Sequence, residues 1–118
     1  MLLKVLRAKI HRATITQAKV DYVGSITIDR DLLDASGILE GECVLVSDLT
    51  DGARFTTYVV AGEAGSGIVC INGAAARLVD VGDKVIIMAF AYVTAEEAAE
   101  IKPCVILADD DNKVARRL

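Results

Sequence analysis

The chain has 118 residues, enough for one domain, and its 53% hydrophobic content excludes a mainly disordered protein. No apolar run approaches the roughly 20 residues of a membrane span, and charges interrupt residues 1–12 too often for a signal peptide. Residues 1–24 carry a formal charge of +4 and the remainder −8, which disfavours general nucleic-acid binding. We therefore expect a cytoplasmic single domain, residues 1–118, that binds neither nucleic acid nor a membrane.

The three cysteines, Cys43, Cys70 and Cys104, are widely spaced and form no C-x-x-C motif. This pattern argues against a disulfide framework and against a zinc site, so we expect no metal. We interpret the cysteines as small buried hydrophobic side chains in a reducing compartment. The apolar content is high for so small a domain, which indicates that a partner subunit covers part of the surface.

Alternation of apolar and charged residues predicts a first strand over Leu3–Thr16. It places Leu6, Ala8 and Ile10 on one face and the cationic side chains on the other. A short second strand is predicted over Ile26–Ile28. Six or seven such strands along the chain favour a compact β-barrel.

A brief helix is predicted over Asp29–Gly37, with an acidic start and a glycine stop. Strands Cys43–Leu49 and Arg54–Ala61 flank the turn Thr50–Gly52, which is a hairpin signal. Further predicted elements are the strands Gly67–Ile71, Lys84–Val93 and Cys104–Leu107, a helical turn at Ala74–Leu78, and a helix that opens with the capping box Thr94–Glu97 and stops before Pro103.

Two of these later segments carry a specific expectation. Lys84–Val93 is apolar almost throughout, which is typical of a strand buried on both faces. Asp109–Leu118 is rich in charge, and we interpret it as a frayed tail without a function.

The dipeptide Gly24-Ser25 permits self-cleavage, although it also occurs in ordinary turns and recurs at Gly65-Ser66. Glycine adopts backbone angles that can strain the next peptide bond, and its carbonyl is sterically open. A serine hydroxyl can attack such a carbonyl and move the acyl group from nitrogen to oxygen. Taken alone, the dipeptide favours the turn, and the same interpretation holds for Gly65-Ser-Gly67, which lacks the lysine of a phosphate loop.

Candidate binding groups recur on two predicted strands and one turn. Lys9 and His11 face the same way and could bind a carboxylate, although their spacing alone favours a solvated strand face. Arg54 suits bidentate carboxylate binding, and Tyr58 on the same strand face can donate a proton. The turn Asn72–Ala75 exposes backbone N–H groups that can hold an oxyanion.

As a set, these stretches closely resemble the aspartate 1-decarboxylase family, in order and without large gaps from Leu3 to Pro103. The stretches that carry the resemblance are Lys9-Ile-His11-Arg12, Tyr22-Val-Gly24-Ser25, Ile28-Asp29, Leu33-Asp-Ala-Ser-Gly-Ile-Leu-Glu40, Arg54-Phe-Thr-Thr-Tyr58, Ile71-Asn-Gly-Ala-Ala-Ala76 and Val81-Gly-Asp83. One departure is Ser47, where many relatives carry an aromatic residue, so we expect the pocket wall or a subunit contact to differ there.

The resemblance implies a mainly β fold, a small double-psi β-barrel with short helices, assembled as a homotetramer with active sites between subunits. It implies that the precursor cleaves itself between Gly24 and Ser25 into residues 1–24 and 25–118. Attack of Ser25 Oγ on the Gly24 carbonyl gives an ester, whose elimination and hydrolysis leave a covalent pyruvoyl group and ammonia. This cofactor acts as an electron sink by forming a Schiff base with the substrate amine.

The implied reaction converts L-aspartate to β-alanine and carbon dioxide, in pantothenate biosynthesis. The implied site residues are Lys9, Arg54 and the nearby His11 for the substrate carboxylates, Tyr58 as proton donor, Thr57 to polarise the Gly24 carbonyl and contact substrate, Tyr22 as a pocket lining, and the backbone of Asn72, Gly73, Ala74 and Ala75 around the reacting group. The sequence leaves open whether an accessory maturation factor assists cleavage.

A competing interpretation is a DNA-binding regulator of the swapped-hairpin type, because residues 25–44 resemble its strand–helix–strand unit. The acidic charge of this segment disfavours contact with phosphates. That class also leaves Arg54–Tyr58 and Asn72–Ala75 unexplained.

Overall fold

The computed structural model describes all 118 residues and contains nine strands, two short α-helices and one 3-10 helix. In chain order the elements are β1 (Leu3–Thr14), β2 (Gln17–Lys19), β3 (Ser25–Asp29), α1 (Arg30–Ser36), β4 (Cys43–Asp48), β5 (Arg54–Gly62), β6 (Val69–Asn72), the 3-10 helix (Ala74–Leu78), β7 (Lys84–Val93), α2 (Ala95–Glu100), β8 (Cys104–Ala108) and β9 (Val114–Arg117).

The strands are hydrogen-bonded in the order β2-β6-β3-β5-β4-β7-β1-β8-β9. β1 and β2 follow each other in the chain but lie far apart in this order, so the sheet curls round to bring them together. The curled sheet encloses a core of 21 buried residues, with Ile10, Ile26 and Ile87 among the fully buried ones. The prediction of a mainly β chain that forms a small barrel with short helices is confirmed.

Local signals predicted both α-helices correctly. The Asp29 side chain caps α1 by accepting the N–H of Asp31, and Gly37 ends the helix in the left-handed region at φ 79°. Thr94 and Glu97 form the predicted reciprocal capping box of α2. The hairpin between β4 and β5 and the helical turn Ala74–Leu78 are also present.

The predicted alternation along the first strand is wrong at Leu6. A register shift in the pairing of β1 with β7 sets Leu6 opposite Phe90 but Ala8 opposite Ala89. This bulge changes the phase of the strand, so Leu6 leaves the face of Ala8. A pure period of two cannot anticipate such an extra residue.

The prediction that Lys84–Val93 is buried on both faces is also wrong. Val85, Ile87 and Ala89 are fully buried, while the residues between them are only half-buried. The strand therefore turns one side to the core and presents a second apolar side, which includes Phe90, at the surface of the chain.

The C-terminal segment is not a frayed tail. β9 pairs antiparallel with β8, and the preceding Asn112 is buried with 1% of its surface exposed. The Asn112 side chain bonds the backbone N–H and C=O of Thr14 and the C=O of Gly67. These bonds fix residues 109–113 to the barrel, and the number of strands rises to nine with β2 and β9, which the sequence did not predict.

The cysteines differ from their predicted burial. Only Cys70 is buried, whereas Cys43 is exposed, Cys104 is half-buried and all three are free thiols. The chain also has no helix with the length and apolar character needed to cross a membrane.

Candidate active site

Ser25, the first residue of β3, lies on the side of the sheet turned away from the core, which we call the outer face. Its neighbours along β3 in the core are Ile26 and Ile28, both fully buried. Because side chains alternate along a strand, Ser25 points to the opposite side. Ser25 is nevertheless buried, with 4% of its surface exposed, because the adjacent strand β6 covers it.

The Asn72 side chain is the hydrogen-bond partner that β6 provides to Ser25. Asn72 lies directly opposite Ser25 in the antiparallel pair, and its Nδ2 donates to Ser25 Oγ at 3.0 Å and to Thr27 Oγ1 at 3.1 Å. The Ser25 hydroxyl in turn donates to the Val23 carbonyl at 3.3 Å. The hydroxyl is thus held in place beside the Gly24-Ser25 peptide bond.

The second Gly-Ser dipeptide has a different environment, and the prediction of a plain turn there is confirmed. Ser66 is exposed and its hydroxyl donates to the Glu63 carbonyl within the same turn, at 2.6 Å. The buried carboxylate of Asp29 accepts the N–H groups of Gly65 and Gly67. This dipeptide therefore serves local structure.

β5 continues the outer face beside Ser25. Arg54 and Tyr58 are exposed, while Thr57 is half-buried, so the predicted alternation along this strand is confirmed. β5 pairs parallel with β3, with Val59 opposite Ile26. If this register is continued back beyond the paired residues, Tyr58 falls beside Ser25 and Thr57 beside Gly24.

Lys9 and His11 also lie on the outer face, but on a distant strand. Lys9 of β1 pairs with Met88 of β7, and Met88 pairs with Leu45 of β4. Leu45 in turn pairs with Thr56 of β5. Three strand spacings, about 14 Å along the sheet, therefore separate Lys9 from the strand of Arg54. A single chain does not bring Lys9 next to Ser25.

His11 has a buried ring nitrogen, Nδ1, without a hydrogen-bond partner. Burial, together with the charges of Lys9 and Arg12, lowers the pKa of His11 below its usual value of 6.5. The ring is therefore neutral at pH 7. The positive charge of this region resides on Lys9 and Arg12.

The segment before Ser25 is held by Lys19 at the end of β2. The Lys19 carbonyl accepts the N–H of Tyr22 at 3.3 Å and that of Gly73 at 2.8 Å, and Lys19 Nζ lies 4.5 Å from the centre of the Tyr22 ring. Tyr22 keeps 59% of its surface exposed. Sequence reasoning missed Lys19, because its contribution is a backbone carbonyl that any residue could supply.

The turn after β6 begins the 3-10 helix Ala74–Leu78. The N–H groups of Ala74 and Ala75 open this helix and so lack partners within it, as expected of an anion-binding turn. Sequence analysis assigned only backbone groups to this stretch. It missed the Asn72 side chain, whose proximity to Ser25 depends on strand pairing across 47 residues.

One cavity of about 190 Å³ opens on the outer face, and none of the predicted site residues lines it. Its lining residues include Lys4, Cys43, Thr56 and Phe90, from β1, β4, β5 and β7. No group of three or more His, Cys, Asp or Glu side chains has the arrangement of a metal site. On a single chain, Ser25 and Asn72 are buried, whereas Tyr22, Arg54 and Tyr58 are exposed.

Comparison with known proteins agrees with this collection of residues over the whole length of the chain. The family model described as Aspartate decarboxylase matches residues 1–115. The aspartate 1-decarboxylase of Lactiplantibacillus plantarum is 57% identical over 118 residues, which is 100% of this chain and 91% of the relative. The enzymes of that name from Caldicellulosiruptor saccharolyticus and Corynebacterium efficiens are 57% identical over 116 residues (98% of this chain, 91% of the relative) and 55% identical over 114 residues (97% and 84%).

These matches confirm the family resemblance seen in the sequence and give no support to a DNA-binding regulator. They extend through Gly24-Ser25, the β5 face and the turn after β6, so they do not depend on one short motif. The chain belongs to the aspartate decarboxylase family.

Proposed function

We propose that this chain is an aspartate 1-decarboxylase made as a precursor, which cleaves itself between Gly24 and Ser25 and converts Ser25 into a pyruvoyl group. The mature enzyme converts L-aspartate to β-alanine and carbon dioxide, a step of pantothenate biosynthesis. The observation that carries this proposal is the Ser25 hydroxyl, which is buried, bonded to the Asn72 amide and preceded directly by a glycine.

The cleavage begins with an acyl shift from nitrogen to oxygen. Ser25 Oγ bonds to the Gly24 carbonyl carbon while the C–N bond to Ser25 breaks, and the hydroxyl proton passes to the freed nitrogen. Elimination then breaks the ester, releases the Gly24 carboxylate and leaves a dehydroalanine end. Water replaces the nitrogen, which departs as ammonia, and the chain 25–118 begins with a ketone.

Two neighbouring side chains support this shift. The Asn72 amide donates to Ser25 Oγ at 3.0 Å and so stabilises negative charge on that oxygen as its proton leaves. The register of β3 with β5 favours Thr57 as the residue beside Gly24, where its hydroxyl can donate to the Gly24 carbonyl. Both groups act on the bond that breaks.

The pyruvoyl group, once formed, supplies an electron sink for loss of the substrate α-carboxylate. The residues of the chain then bind and orient the dianionic substrate, a task for which Arg54 and Lys9 have the charge. The His11 ring, whose pKa is lowered by burial and by the charges of Lys9 and Arg12, can donate a hydrogen bond to a carboxylate. Tyr58, beside position 25, donates a proton to the decarboxylated carbon.

The remaining residues of the site enclose the substrate. Tyr22 covers the pocket from the side of the short chain, and its exposed ring in one subunit leaves it free to do so. The backbone N–H groups of Asn72–Ala75 surround the reacting group. The cofactor derives from the chain itself, and no metal takes part in the proposed reaction.

The site is completed between subunits of a homotetramer. In one chain Arg54 lies four residues from Tyr58, about 13 Å along β5, and Lys9 lies four strands from Ser25. A small amino acid cannot span these separations. The exposed apolar side of β7, with Phe90 half-buried, offers a surface for a partner subunit that would bring the cationic groups to Ser25.

Intact-protein mass spectrometry of the purified chain tests the proposal. We expect two species that correspond to residues 1–24 and to residues 25–118 with a pyruvoyl terminus. Ser25→Ala is expected to give a folded, uncleaved and inactive protein, whereas the matched control Ser66→Ala, in the other Gly-Ser dipeptide, is expected to be cleaved normally. Cleavage at Gly24 in the Ser25→Ala protein would show that the nucleophile is wrong.

The same measurement decides whether a maturation factor is needed. Purified precursor warmed alone should cleave without added protein if the process is spontaneous. One unmodified full-length chain that persists under these conditions, cleaves only with cell extract and then decarboxylates aspartate would establish an accessory factor. A chain that stays intact in both conditions and inactive on aspartate would overturn the proposed function.

A further inference from the structure

Gly73 lies with its bare Cα against the backbone of Gly24. A Cβ atom at Gly73 would be 2.6 Å from Gly24 Cα, 2.9 Å from Gly24 N and 3.2 Å from the Tyr22 carbonyl oxygen. Real Cβ atoms essentially never approach another heavy atom closer than 3.0 Å. Only glycine at position 73 therefore permits this approach to the residue before Ser25.

The backbone conformation of Gly73 is equally restrictive. Its angles, φ 82° and ψ −153°, lie in a region that is essentially open only to glycine. Its N–H donates to the Lys19 carbonyl at 2.8 Å, which also accepts the N–H of Tyr22. One carbonyl therefore holds both Gly73 and the segment that leads into Gly24.

Two consecutive residues thus contact the two residues of the scissile bond. Asn72 bonds the Ser25 hydroxyl through its side chain, and Gly73 packs on Gly24 through its backbone. The Asn72 side chain thus contacts the Ser25 hydroxyl, and the Gly73 backbone fixes the position of Gly24. Asn72 is the last residue of β6 and Gly73 follows it directly. This arrangement fixes the nucleophile and the carbonyl carbon relative to each other.

The geometry points to Gly73 as a positioning residue for self-cleavage, which acts by placing the Gly24 carbonyl carbon for attack by Ser25 Oγ. This inference rests on the proposed cleavage site and is separate from any contact of Gly73 with substrate. Reactions between groups held in one molecule depend steeply on placement, and a displacement near 1 Å can lower the rate about 100-fold. A methyl group on Gly73 would force Gly24 to move by a comparable distance.

The test is the rate of cleavage of full-length Gly73→Ala, followed by intact mass from the time of purification. We expect cleavage to slow on the order of 100-fold relative to the parent chain. The matched control is Gly67→Ala, because Gly67 also has a positive φ, of 72°, and its Cβ would lie 2.9 Å from the Asp111 carbonyl oxygen. This control carries similar strain away from Gly24, so we expect lower thermal stability but cleavage at the parental rate.

Hydroxylamine separates a failure to form the ester from a failure to eliminate it. If Gly73 positions the acyl shift, folded Gly73→Ala resists hydroxylamine, since no ester is present. Release of residues 1–24 by hydroxylamine would show that the shift had occurred, and would overturn the inference. So would cleavage at the parental rate, equal slowing in Gly67→Ala, or a Gly73→Ala chain that does not fold. Absence of cleavage in the parent itself, both alone and with cell extract, would instead refute the proposed function.

Discussion

Replacement of Asp29 by asparagine tests the contact that anchors β3 at the end opposite Ser25. Asp29 is fully buried, and its carboxylate accepts the backbone N–H groups of Asp31 at 2.8 Å, Gly65 at 3.1 Å and Gly67 at 2.7 Å. An asparagine keeps one acceptor oxygen but turns an amide donor towards the other N–H groups. At least one buried donor then loses its acceptor.

The loss can be estimated from these bonds. Hydrogen bonds to a charged group contribute about 1.5–3 kcal/mol, and an unsatisfied buried donor costs about 1–3 kcal/mol. We therefore expect Asp29→Asn to lower the free energy of unfolding by about 3 kcal/mol at pH 7. For a domain of this size, that loss lowers the unfolding temperature on the order of 10 °C.

The effect of this substitution should depend on pH. Burial alone would raise the pKa of Asp29, but the three backbone N–H groups outweigh it and lower the pKa below the usual value of 3.8. The stabilisation is therefore present above 3.8 and is lost as the pH falls through the lowered pKa of the folded state. The difference between the two proteins should shrink in strong acid.

Thermal unfolding followed by circular dichroism measures both effects. The substitutions are made in the Ser25→Ala chain, so that all samples are uncleaved, and are compared at one chain concentration because an oligomer's stability depends on it. The control Asp34→Asn removes an exposed carboxylate from α1, the helix that Asp29 caps. We expect it to change the free energy of unfolding by no more than about 0.5 kcal/mol. Equal unfolding temperatures for Asp29→Asn and its parent at pH 7 would refute the reasoning.

Three further outcomes are expected. Tyr58→Phe should be cleaved normally but decarboxylate aspartate about 100-fold or more slowly, as measured by β-alanine formation; near-normal turnover would remove Tyr58 as proton donor. Asn72→Ala should yield less pyruvoyl-bearing long chain by intact mass, and a full yield would contradict a role for its amide at Ser25. Burial and the neighbouring Asp83 raise the pKa of Asp48 from 3.8 to about 6. The stability that Asp48 contributes is therefore fully present below pH 3.8 and is lost as the pH rises through about 6. Asp48→Asn should therefore raise the unfolding temperature at pH 8 and have less effect at pH 5, and equal shifts at both would contradict the assignment.

The sequence predicted those elements whose signals are local. The cap at Asp29, the stop at Gly37 and the capping box at Thr94 each depend on residues within one or two turns of the helix. The bulge after Leu6 depends instead on how β1 pairs with β7, which lies about 80 residues further along the chain. β9 likewise exists because β8 offers it an edge, a condition that charge composition does not reveal.

The candidate site shows the same division between local and distant information. Gly24-Ser25 and Gly65-Ser66 are identical as dipeptides, and what distinguishes them is a strand from elsewhere in the chain. Asn72, 47 residues away, buries the Ser25 hydroxyl and bonds it, whereas the Ser66 hydroxyl bonds its own turn. The family resemblance pointed to Gly24-Ser25 because it also covers Tyr22, the β5 stretch Arg54–Tyr58 and the turn Asn72–Ala75. It could not say how those partners act.

The proposed chemistry divides into two stages with different needs. The proposed cleavage uses groups that one chain already holds together at the ends of β3 and β6, namely Ser25, Asn72 and the Gly73–Gly24 contact. The proposed decarboxylation uses the cations Arg54 and Lys9, which one chain keeps strands apart. Gly73→Ala should therefore impair maturation, while a change of Lys9 should impair turnover of a protein that has already matured. A variant of Lys9 that failed to mature would contradict this division.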